Sequence, residues 1–147
     1  MNEAKYLVDN NALLFLGRER IRSEFFHEFC RITADVLFEA KEHPDRDILA
    51  HAALEVTAST LDELRAVMSF ETPGDVALVD LYKNKGAADP GLIATIRDAM
   101  RADVGKFFAD EWTLVTSDKA VIDRAQQLHL STATPAELAD RIDRSKS

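Results

Sequence analysis

Two short apolar runs constrain this chain more than any other feature. Lys5-Tyr-Leu-Val8 and Trp112-Thr-Leu-Val-Thr116 are rich in residues that favour extended backbone, and each is followed at once by polar residues and then by apolar positions three and four apart. A strand that feeds directly into a helix, near the start of the chain and again near its end, leads to parallel pairing, because a crossover must carry the chain back before the next strand can run the same way. The expected class is α/β: a three-layer α/β/α sandwich with a mostly parallel central sheet.

Between those runs the apolar spacing predicts further helices. Asn11 to Leu16 reads as a short helix closed by Gly17. From Arg18, the residues Ile21, Phe25, Phe29 and Ile32 recur at three or four, which predicts one amphipathic helix with Arg18, Arg20, Arg22 and Glu24 outward. Val36, Leu37 and Ala40 begin another apolar patch that breaks near Pro44, and Asp45 to about Ser59 is alanine-rich and reads as helical. Thr60-Leu-Asp-Glu63 has the form of a capping box opening a helix toward Phe70. Thr72-Pro73-Gly74 reads as a turn, and Val76 to Tyr82 fits helix and strand alike. Asp89-Pro90 pairs an N-cap acid with the residue favoured at the first helical position, ahead of an apolar face of Leu92, Ile93, Ile96 and Met100. Ser117-Asp118 opens a helix carrying Val121, Ile122, Ala125 and Leu128. A short strand near Ser131 to Ala133 follows, and Thr134-Pro-Ala-Glu137 combines a capping box with proline to start the last helix.

With 147 residues, 46% of them hydrophobic, the chain is expected to form one domain over residues 1–147. Its longest apolar runs, such as Ala12 to Leu16, fall far short of the roughly 20 residues that span a bilayer, and Met-Asn-Glu-Ala-Lys has no signal-peptide character. A cytoplasmic protein with no membrane partner is the expectation. Cys30 is the only cysteine, which excludes an intramolecular disulfide and a thiolate metal cluster; beside Phe26 and Phe29 in a helical pattern it reads as a buried structural thiol. Eighteen basic against 26 acidic residues give a net charge of -8, which argues against broad adhesion to nucleic acid or anionic membrane. A nucleic-acid substrate is still compatible with that charge, because a divalent cation reverses the local field of a carboxylate cluster. His27, His43, His51 and His129 show no metal-binding spacing, and no catalytic role is assigned to them.

The chemistry-bearing residues are acids at strand and helix ends. Asp9 ends the first strand, Asp118 follows a later one, and Asp89 lies at a helix start between them. Each serves equally well as a helix cap. In a parallel sheet, however, strand carboxyl ends and helix N-termini gather at one edge, so the three would converge there and repel one another unless a cation lay between them. Oxygen ligands without histidine or cysteine suit Mg²⁺ or Mn²⁺, ions that serve phosphoryl chemistry.

These residues resemble the PIN-domain ribonucleases, and especially the VapC-type toxins of toxin-antitoxin pairs. Tyr6-Leu-Val-Asp9-Asn10-Asn11 is similar to that family's strand-ending acid, and Leu114-Val-Thr116-Ser117-Asp118 with Thr134-Pro-Ala-Glu-Leu138 is similar to its closing segment. Gly86-Ala-Ala-Asp89-Pro-Gly-Leu-Ile-Ala-Thr95 resembles the segment that supplies a further acid, and Val36-Leu-Phe-Glu39-Ala40 the helix that supplies the remaining one, with Glu55 as its rival. The resemblance implies that Asp9, Glu39, Asp89 and Asp118 are the catalytic acids and hold one or two Mg²⁺ or Mn²⁺ ions. It implies that Asn11 and Thr116 orient carboxylates or substrate. It implies an endoribonuclease in which water, not a side chain, attacks phosphorus, a homodimer, and a cognate antitoxin protein whose amphipathic helix lies in an apolar groove. Lys83, Lys85 and Lys119 lie near two of the acids in sequence and could guide the RNA backbone, although each by itself reads better as a solvated helix-end or loop charge.

Two other readings use the same residues. A phosphotransfer domain or aspartyl phosphatase also places Asp at a strand end, but the phosphatase pattern wants a second Asp two residues on, where this chain has Asn11. A PIN-like binding module that has lost its chemistry would keep the fold and lack one working acid.

Overall fold

The computed structural model describes residues 4–69, 88–102 and 110–146. Four parallel strands, β1 (Ala4–Val8), β2 (Cys30–Arg31), β3 (Glu111–Val115) and β4 (Ser131–Ala133), form a sheet in the order β2-β1-β3-β4. The helices are α1 (Asn10–Ile21), α2 (Glu24–Phe29), α3 (Ala34–Glu39), α4 (Arg46–Ala52), α5 (Ala58–Ser69), α6 (Ala88–Ala102), α7 (Lys119–Gln127) and α8 (Pro135–Ser145). The fold is α/β with an all-parallel sheet flanked by helices, as a three-layer α/β/α sandwich requires. Among the described residues, no helix is long and apolar enough to cross a membrane.

The two-residue period of the strands divides the core. Val8 and Val115 face one side and pack with Leu13 and Leu16 of α1, Phe26 of α2, Val36 of α3 and Leu138 and Ile142 of α8. Their neighbours Leu7 and Leu114 face the other side, against Val67 of α5, Leu92, Ile93 and Ile96 of α6, and Val121 and Ala125 of α7. Successive side chains of a strand point to opposite faces, so near-continuous apolar runs are what a sheet covered on both sides demands. Each fully buried Leu, Ile or Val in these layers stabilises the fold by about 1.5–3 kcal/mol before its conformational entropy cost.

The elements whose signals are local agree with the sequence reading. β3 and β4 fall where expected, and Thr134 closes its capping box with Glu137 through bonds of 3.1 and 3.0 Å. Four other expectations need correction. The helix expected to end at Gly17 continues to Ile21. Gly17, at φ 79° and ψ 168°, only kinks it, because glycine reaches that conformation without a Cβ penalty. Beyond the kink Arg18 binds Asp45 and Arg20 binds Asp143, anchoring the second half to α4's first turn and to α8.

The single helix expected from Arg18 through Ile32 is three pieces. Ser23 caps a new helix by accepting the Phe26 N–H at 3.2 Å, and Cys30 and Arg31 then pair with Tyr6 and Leu7 as β2. Cys30 is thus in a strand, yet it is buried as expected, and burial pushes its thiol up to about 12. The helix from Asp45 stops at Ala52, because Ile32 takes up Ala53 in a parallel bridge and draws Leu54 to the sheet's outer edge. The capping box at Thr60 lies one turn too late. Thr57 and Thr60 cap each other reciprocally at 3.1 and 3.3 Å, while Glu63 turns to Arg97 and Arg101. The turn at Thr72-Pro73-Gly74 and the run Val76 to Tyr82 lie outside the described residues.

The ion pairs give the fold an acid limit. Hydrogen bonding to Arg18 holds the buried Asp45 carboxyl below its ordinary value, and Arg20 does the same for Asp143. A folded-state pKa below the unfolded one means that the unfolded chain binds more protons in that range, so this stabilisation is present at neutral pH and is lost as pH falls through the folded values. Melting temperature is therefore expected to drop steeply below about pH 4. Asp45→Asn should lower it at pH 7 and flatten that acid dependence, as read from thermal melts across pH.

Candidate active site

In a sheet of order β2-β1-β3-β4, the crossover after β1 leads to one side and the chain after β3 to the other. The helices that follow confirm the split, with α1 packed on the face of Val8 and α7 on the face of Leu7. A crevice opens outside the carboxyl ends of strands at such a switch point, and ligands of α/β sheets bind there. Asp9 and Thr116 are the residues that immediately follow β1 and β3. Their side chains meet across the ladder.

Asp9 is 6% exposed and each of its carboxylate oxygens is engaged: Oδ1 accepts the Ala12 N–H at 2.8 Å, capping α1, and Oδ2 accepts the Thr116 hydroxyl at 2.5 Å. Thr116 is fully buried, and its Oγ1 also accepts the Asp118 N–H at 3.1 Å. Asp118 in turn caps α7, its Oδ1 accepting the Ala120 N–H at 3.1 Å. One hydroxyl thus links the carboxylate at the end of β1 to the backbone that carries the acid after β3. Capping and site building are compatible here, since a carboxylate that accepts one N–H per oxygen keeps lone pairs for a further partner. The N-termini of α1 and α7 also bring the positive ends of two helix dipoles to this edge.

The other expected residues are placed differently. Asn11 is exposed in the first turn of α1, one residue inside the helix that Asp9 caps. Glu39 is exposed at the last position of α3. Its rival Glu55 is exposed too, on the segment after the Ile32–Ala53 bridge, two strand spacings or about 10 Å from β1. Asp89 lies in the first turn of α6, and its side chain falls outside the described residues. Among the described residues, no group of three or more His, Cys, Asp or Glu side chains is placed to hold a metal ion. Lys119 is exposed and pairs with Asp123 at 2.9 Å, whereas Lys83 and Lys85 lie outside the described residues.

One acid at a helix start escaped the sequence reading. Asp35 sits in the first turn of α3, capped by Thr33, and its Oδ2 lies 3.2 Å from the point a Cβ on Gly91 of α6 would occupy. The available signal was position alone: Asp35 and Glu39 are four apart and share a helix face.

The oxygen donors at the crevice, two carboxylates and a hydroxyl with no histidine or cysteine, have the chemistry of a hard divalent cation. Compared with protein-family models and with curated proteins, the chain gives no match.

Thr116→Val keeps the shape of the side chain and removes the donor that a buried carboxylate uses. A hydrogen bond to a charged group contributes about 1.5–3 kcal/mol, so a loss of stability of that size is expected, with Thr116→Ser retaining most of it. Urea denaturation of the three proteins measures this, and an unchanged midpoint for Thr116→Val would show that the hydroxyl link is immaterial.

Proposed function

We propose that this chain is a PIN-like, metal-dependent endoribonuclease. The observation that carries the reading is the Thr116 hydroxyl bond from Asp9 to the Asp118 backbone at the switch point of a parallel sheet. Asp9 and Asp118, with Asp89 from the first turn of α6, would hold Mg²⁺ or Mn²⁺. When bound, such an ion supplies charge neutralisation at a phosphoryl group and lowers the pKa of water. Thr116 holds Asp9 by a hydrogen bond, and the Asp118 cap fixes the start of α7, so both acids are held by bonds of their own where they follow neighbouring strands. Phosphodiester hydrolysis needs nothing more from side chains than such positioning and charge stabilisation.

The biological setting belongs to the same proposal: a cytoplasmic toxin that forms a homodimer and is held in check by an antitoxin protein. Exposed apolar residues on α1 and α3, namely Leu14, Phe15 and Phe38, support a protein partner on the helices that flank the crevice. One alternative reading is a PIN-like binding module without catalysis, in keeping with the described residues forming no group of three or more acids placed to hold a metal ion.

A panel of structured and single-stranded RNAs, incubated with Mg²⁺, Mn²⁺ or EDTA, separates the two. Cleavage is expected only with the cation. Asp9→Asn and Asp118→Asn are expected to lower it by about 100-fold or more while keeping both caps, because Asn has the acid's shape and accepts the same N–H. Circular dichroism verifies that the variants are folded. Glu39→Gln and Glu55→Gln in the same assay identify the remaining acid. Cleavage that survives in both Asp variants refutes the metal-nuclease reading, and binding without cleavage by the unaltered chain supports the module.

A further inference from the structure

We draw no further inference here: the strongest candidate, the apolar cavity of about 480 Å³ between the C-terminal parts of α6 and α7, lined by Met100, Leu128 and Leu130 together with Glu63, Arg97 and Arg101, carries nothing because nothing in the structure shows what covers it.

Discussion

The parallel pairing of β1 with β3 is the constraint on which the rest of this structure depends. It runs through all five residues of each strand, from Ala4 with Glu111 to Val8 with Val115, and the Asp9 N–H extends it by bonding the Val115 carbonyl at 3.2 Å. Two strands in register deliver their next residues side by side. The Thr116 hydroxyl therefore reaches Asp9 across one strand spacing, and a shift of one residue would turn both side chains to opposite faces. The juxtaposition of Asp9 and Thr116 is a consequence of register.

The same pairing fixes the two cores. Leu7 and Leu114 pack toward α5, α6 and α7, while Val8 and Val115 pack toward α1, α3 and α8. Helices on opposite faces then leave from adjacent strand ends in opposite directions, which is what opens the edge between them. Polar contacts fasten the outer helices to one another. Glu63 of α5 is nearly buried between Arg97 at 3.1 Å and Arg101 at 3.0 Å, and Thr60 and Ser59 both donate to Asp98. Removing an arginine there would leave a buried carboxylate short of a partner, a far larger loss than an exposed pair represents. This clamp orients α6, whose far end meets Asp35.

Capping links stability and chemistry at the crevice. Asp9 and Asp118 each close a helix with a backbone N–H, and the same carboxylates border the switch point. The ambiguity between cap and ligand is thus a property of the fold, since helix N-termini and strand carboxyl ends share one edge in a parallel sheet. A carboxylate at that edge is held in place by its cap whether or not anything binds to it.

Sequence by itself determined what depends on neighbours within a few residues. The strands at Tyr6 and Leu114, the caps at Asp118 and Thr134 and the apolar faces of α6 and α7 are written in local spacing, because an N–H three residues away or an apolar position four away is always within reach. Asp9 is legible as a strand-ending acid for the same reason, whereas Thr116 is singled out only by the family resemblance. Tertiary structure alone decided what depends on a distant partner. Phe25, Phe29 and Ile32 keep a helical spacing, yet Cys30 and Arg31 are a strand because Tyr6 and Leu7 offer an open edge. Glu63 followed a capping pattern, yet two arginines from α6 claim it. Asp35 comes beside Gly91 only because the fold brings α3 to the start of α6. In each case the local preference is worth a fraction of a kcal/mol to about 1 kcal/mol, and burial or a charged partner outweighs it.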